Sequence, residues 1–215
     1  MKAGIAFRLA EFPANATQPD VDAGIDELVH DAGVHGIFLQ FPLPPQIDLR
    51  TTVRRVPLEK DVDRPLPATP FGIVRILEQN RIATRGVRVT VVGNASGIAR
   101  PLVTLFEERC NDVTHVDADD AHLAVVTQTA DILASAVERP GVISGVHVKP
   151  GATVVDAGYN RTARGVVGDL DLGSVERVAG AVLPMPGGIG PVTIAILLER
   201  TWDAARGQDT RAGVS

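Results

Sequence analysis

The apolar runs constrain this chain most. VRVTVVG (87–93), DILASAV (131–137) and ATVVDAG (152–158) are apolar runs without clean apolar–polar alternation. Runs of that kind bury both faces, as parallel strands do between two layers of helices. Further strand signals lie at 3–10, 36–41, 112–117, 165–170 and 180–185. Helical periodicity lies between them at 19–33, 70–80, 99–109 and 189–205. Alternation of this sort from end to end predicts an α/β fold with a parallel sheet.

Charge and length narrow the function. The 215 residues carry a net charge of −5, which argues against a broad nucleic-acid surface. No apolar run reaches the roughly 18 residues of a membrane span, and Arg8 and Glu11 interrupt any signal-peptide core. Cys110 is the single cysteine, read here as a half-buried helix thiol. With no disulfide framework to build, a reducing cytoplasm is the expected compartment. The Pro-rich stretch 57–70 is the expected boundary between a small first lobe and a nucleotide-binding lobe. The polar tail after Arg206 is expected to fray.

The segment VTVVGNASGIARP sets Gly93 and Gly97 between a strand and a helix. Glycines there let backbone amides approach a pyrophosphate at a helix N-terminus. The full G-x-G-x-x-G fingerprint is absent, because Gly93, Ala95 and Ile98 hold its three glycine positions, and an ordinary glycine-rich turn stays open. The next strand ends at Asp117, about 20 residues on, where a carboxylate accepts from an adenosine ribose hydroxyl. That carboxylate repels a 2′-phosphate, and Asn94, Ala95 and Ala118 offer no cation to hold one. A dinucleotide bound here is therefore expected to be NAD rather than NADP, unless Asp117 is only a solvated strand end.

Elsewhere, Gln40 closes the run GIFLQF before a rigid proline turn, and either finds structural partners or faces a cleft. Asp61 and Asp63 share a side if their segment is extended, and an exposed acidic loop is the plainer alternative. PMPGGIGPVT (184–193) is a second glycine-rich loop opening a helix. His115 is expected to be a satisfied interior group, and no pair of histidines has metal-ligand spacing.

Taken together, GIFLQFPLPPQID, EKDVD, TPFGIVRIL, KPGATVVDAGYN, VVGDLD and LPMPGGIGPVT resemble the signatures of the bifunctional methylenetetrahydrofolate dehydrogenase/cyclohydrolase family, the FolD type. The resemblance runs from about residue 4 to 205. It implies a folate-side lobe at 1–68 plus 190–208, with the last helix returning to it, a Rossmann-type NAD(P)-binding lobe at 69–189, and a frayed tail at 209–215. It also implies a homodimer with a small folate substrate and no nucleic-acid or membrane partner. Residue by residue, Gln40 matches a catalytic-site glutamine and Asp63 the pterin-binding aspartate. Pro186 and Gly190 match folate contacts. Gly93, Asn94 and Ala95 stand where the cofactor-binding G-R-S stands, Gly97 and Asp117 belong to the same site, and Tyr159 stands at a cofactor contact. Hydride transfer in such a site depends on proximity and orientation, expected from a cleft between the lobes.

The departures shape the expectation. The family's Y-x-x-x-K pair lies upstream of the segment that matches Gly4-Ile5, and the lysines here, Lys2, Lys60 and Lys149, do not fit that context. Arg64 replaces the glycine of D-V-D-G, and a stretch normally found between that motif and the C-T-P helix is absent. The expected activity is NAD(P)-dependent oxidation of 5,10-methylenetetrahydrofolate with the cyclohydrolase step lost. Three alternatives stay open. The chain is a non-catalytic dinucleotide-binding relative, a full bifunctional enzyme whose start lies further upstream, or a dehydrogenase or imine reductase for another small substrate whose pocket Arg64 reshapes.

Overall fold

The structure is a computed structural model that describes residues 4–41, 43–93, 97–163 and 165–211, with side chains as far as Gln208. The chain divides into two compact units, Met1–Pro65 with Ala195–Ser215, and Leu66–Ile194.

In the first unit, α1 (Gln18–His30) opens on Thr17, whose backbone N–H and hydroxyl both donate to the Asp20 carboxylate. Its Val21 and Ile25 pack with Ala16, Ile37, Ile47 and Val56 in a small core. A second helix, α2 (Leu49–Arg55), was not expected from its polar sequence. Asp48 caps it by accepting from Thr51 N–H at 2.7 Å. Arg55 then joins α2 to α1 through Asp22 at 2.8 Å and Asp26 at 2.9 Å. Lys60 donates to the Val29 and Asp31 carbonyls at 2.9 and 2.8 Å, closing the end of α1. The lysine of EKDVD is thus a helix cap.

Two expected strands are absent from this unit. Residues 4–10 form no ladder, and Phe7 is 85% exposed. The 36–41 run is reduced to one parallel bridge, Ile37 to Asp61. Only Ile37 is buried there, while Phe38 is 43% exposed, so the run lacks the second covered face that its composition suggested.

The second unit begins with α3 (Ala68–Gln79), then β1 (Arg88–Gly93), α4 (Ala99–Glu107), β2 (Asp112–Val116), α5 (Leu123–Thr127), β3 (Ile132–Ala136) and β4 (Thr153–Asp156). A hairpin of β5 (Asn160–Thr162) and β6 (Gly165–Val167) follows, then α6 (Leu172–Val175), β7 (Ala181–Leu183) and α7 (Ile189–Arg211). The main sheet has the order β2-β1-β3-β4-β7, parallel throughout. Val89, Val91, Ile132, Ala134 and Val155 enter one core with Ile73, Leu102 and Phe106, whereas Val92, Leu133 and Val154 enter another with Ile143 and Val175. Neighbouring residues on one strand therefore serve opposite cores, which is why the sequence shows no clean alternation.

The 165–170 signal shrinks to β6, outside the main sheet, because Gly168 and Asp169 belong to a buried hydrogen-bond network instead. The last helix runs past its expected end to Arg211, and its residues from Ala195 onward group with the first unit. There Gln208 donates to the His35 carbonyl at 2.8 Å. Cys110 is exposed in a turn after α4 at φ 58°, not half-buried on a helix. Among the described residues no helix is long and apolar enough to cross a membrane.

Candidate functional site

Strand order selects where a ligand meets the second unit. β1 leads to β2 on one side of itself, and β3 lies on the other side. In open parallel sheets, ligands bind outside the carboxyl ends of the strands at such a reversal. Gly93 and Ala136 end the two strands at this point and are register partners.

Gly93 is glycine for a packing reason. Its φ is +146°, and a Cβ there would lie 2.3 Å from the Ala136 carbonyl oxygen. Gly97 differs, since a Cβ on it would meet nothing within 4 Å. Between them, Asn94 and Ala95 lie outside the described residues. The helix α4 follows with Ile98 at its N-cap, making no side-chain bond to the first turn, and with Pro101, which has no N–H. Such a helix start suits an anion.

Asp117 follows β2 and is exposed, its Oδ1 accepting from Asp119 N–H at 2.9 Å. His115 is exposed on β2 rather than interior, with Nε2 2.8 Å from the Gly93 carbonyl. Tyr159 is also exposed, and the Arg161 guanidinium lies 5.9 Å from its ring centroid. Pro186 is exposed in the turn before α7, where Gly188 N–H donates to the Pro184 carbonyl. Gly190 is exposed in the first turn of α7.

Composition and motif reading alone did not foresee the buried pair beneath these residues. Asp169 is fully buried and accepts four bonds, from Ser135 Oγ (2.9 Å), Val137 N–H (2.7 Å), Arg139 N–H (3.0 Å) and Asn160 Nδ2 (3.0 Å). Asp156, 2% exposed, accepts from the N–H groups of Gly158, Asp169 and Leu170. A Cβ on Gly158 would lie 2.0 Å from an Asp169 oxygen, and one on Gly168 1.9 Å from an Asp156 oxygen. The glycines of VVDAG and VVGD make room for the carboxylates. The loop after β3 takes its shape from Asp169.

Burial pushes the Asp156 carboxyl above the usual aspartate value, against the three backbone donors that lower it, and the nearby Asp169 charge adds to the rise. With the folded-state value raised, the native state holds a proton that the unfolded chain has released, and stability from this group falls as pH rises through the window. Asp156→Asn cannot titrate. The stability difference between wild type and Asp156→Asn should therefore narrow as pH is raised from about 4 to 7. Urea unfolding at both ends of that range checks it, and a constant or widening difference would refute the assignment.

In the first unit, the parallel bridge at Ile37 and Asp61 sends two segments off in one direction, carrying Gln40 and Asp63 just beyond it. Gln40 is exposed and donates to the Phe41 carbonyl at 3.1 Å. Asp61 and Asp63 do not act as a matched pair. Asp61 accepts from the N–H groups of Asp63 and Arg64 and from the Arg64 side chain. Arg64 bends back further to the Val56 carbonyl. With Arg50 and Arg54 it lines an open hollow of about 590 Å³. Asp63 instead faces the charge of Arg200 on α7. Burial lowers that guanidinium's pKa, and Asp63, Asp61 and Glu199 raise it again.

Comparison with known proteins also divides the chain near residue 65. The catalytic domain of the tetrahydrofolate dehydrogenase/cyclohydrolase family matches residues 1–63, and its NAD(P)-binding domain matches residues 67–209. The bifunctional protein FolD of Bordetella petrii is 38% identical over 220 residues, covering 95% of this chain and 75% of that protein. The crystal structure of FolD from Campylobacter jejuni superposes with a TM-score of 0.84 at 34% identity, over 91% of this chain and 75% of that one. The Trypanosoma brucei FolD structure, complexed with NADP cofactor and inhibitor, gives 0.84 at 29% identity, over 91% and 74%.

Proposed function

Because the chain belongs to the tetrahydrofolate dehydrogenase/cyclohydrolase family, we propose that it oxidises 5,10-methylenetetrahydrofolate to the 5,10-methenyl form with a nicotinamide dinucleotide as acceptor. The observation that carries this reading is the strand reversal at Gly93 and Ala136, with an uncapped helix start and an exposed carboxylate beside it. This donor set fits a dinucleotide, since backbone N–H groups suit its pyrophosphate and a carboxylate suits its ribose. The dinucleotide, when bound, supplies the hydride acceptor. The chain's own residues bind and orient.

In this proposal Gly93, Gly97 and the start of α4 take the pyrophosphate, Asp117 takes the ribose hydroxyls, and Tyr159 lies against the cofactor. Asp63 takes the pterin N–H groups, to which a carboxylate is a strong acceptor. Gln40 orients the substrate, and Pro186 and Gly190 contact it. NAD is preferred over NADP, because the Asp117 carboxylate opposes a 2′-phosphate. A homodimer in the cytoplasm belongs to the same reading, and sedimentation of the purified protein tests the assembly.

The deciding experiment mixes purified protein with 5,10-methylenetetrahydrofolate and either dinucleotide. Folate-dependent reduction is expected, faster with NAD. Asp63→Ala should raise the folate KM by about tenfold or more, with nucleotide affinity little changed. Protein that reduces neither nucleotide and does not bind folate would overturn the reading.

A further inference from the structure

Arg139 and Asp119 stand 20 positions apart in sequence and make an ion pair at 2.8 Å. Arg139 follows β3 and Asp119 follows β2, while β1 lies between those strands. The loops after β3 and β2 therefore meet at this ion pair.

Both ends of the bridge are anchored. Buried Asp169 holds the Arg139 backbone N–H, and the guanidinium also donates to the Ala118 carbonyl at 3.4 Å. Asp119 is tied to Asp117 through its own N–H. A cation therefore lies one residue beyond the carboxylate assigned to the ribose hydroxyls. Sequence spacing alone left that neighbourhood with no positive charge. An arginine there has the fork geometry that suits a phosphate.

We propose that the Asp119–Arg139 pair sets the coenzyme preference of this site, Asp119 occupying the guanidinium that would otherwise hold a 2′-phosphate. The assignment rests on the proposed function and names the pair that makes it NAD-selective. Asp119 and Arg139 side chains are 77% and 47% exposed, so their ion pair contributes little to folding. Replacing Asp119 then changes charge without endangering the fold. Asp117 and Asp120 remain, so the release of Arg139 is partial.

Titration of NAD and NADP into wild type, Asp119→Asn and Asp119→Asn/Arg139→Ala, each with a thermal melt to show that it is folded, tests the idea. The ratio of NADP to NAD affinity should rise about tenfold in Asp119→Asn and return to the wild-type ratio in the double variant. The gain should also shrink at high salt, as an exposed charge contact does. A folded Asp119→Asn that binds NAD with no gain for NADP overturns this assignment alone. A gain that persists in the double variant overturns it too, because Asp119 would then act only as a like charge. Wild-type protein that binds neither dinucleotide would overturn the proposed function and this assignment with it.

Discussion

Asp169→Ala is expected to lower the unfolding free energy by about 4 kcal/mol, because four buried donors lose their acceptor together. Each donor left unsatisfied costs about 1–3 kcal/mol, and water entering the vacated space recovers part of that. Asp169→Asn is expected to be milder, about 2 kcal/mol. Its amide oxygen keeps one pair of bonds, and the Ser135 hydroxyl is free to turn and accept from the new NH₂. The backbone at 137–139 loses both of its bonds in the alanine variant and one of them in the asparagine variant, so dinucleotide affinity should fall along with stability. Chemical denaturation and nucleotide titration of the same samples measure the two effects. An Asp169→Ala protein within about 1 kcal/mol of wild type would show that the network is not what holds this loop.

Gly93→Ala should be comparably harmful, about 3 kcal/mol or more. Its Cβ would meet a backbone carbonyl on the neighbouring strand at 2.3 Å, and its φ of +146° is strained for any other residue. Neither β1 nor β3 can yield without breaking the parallel ladder at the centre of the sheet. Gly97→Ala is the informative contrast. Open space surrounds that position, so stability should change by less than about 1 kcal/mol. If Gly97 lies against a pyrophosphate, the same methyl group should weaken dinucleotide binding about tenfold. One variant would then fail by unfolding and the other by losing its ligand. Equal stability losses in both would contradict this division between a packing glycine and a binding glycine.

Much of the second unit could be read before folding because its signals are local. The runs containing Val89–Val92, Ile132–Ala136 and Thr153–Asp156 each become a strand, since two-sided burial imposes a composition that a short window reveals. The first unit misled for the opposite reason. GIFLQF has the composition of a buried strand, yet its only ladder contact is Ile37 to Asp61, and nothing within six residues records the absence of further neighbours. The polar helix Leu49–Arg55 went unseen because its support comes from Gln18, Asp22 and Asp26 on another helix.

The candidate site divides along the same line. Gly93, Gly97, Asp117, Gln40 and Asp63 were named from motif and spacing, because each sits where a strand ends or a turn begins, and such positions are encoded locally. Arg139 could not be named that way. Its meeting with Asp119 depends on how the loops after β2 and β3 converge in the folded sheet, which no stretch of sequence states. The acidic residues of VVDAG and VVGD were likewise not singled out, because only the folded chain surrounds Asp169 with donors from β3, the loop after it and β5, and Asp156 with the N–H groups of Gly158, Asp169 and Leu170. Alternation of strand and helix, and the residue types at strand ends, were settled by the sequence, because those preferences act over a few neighbouring residues. Which charges face one another across the sheet was decided by tertiary structure, because that depends on the order in which distant strands pack.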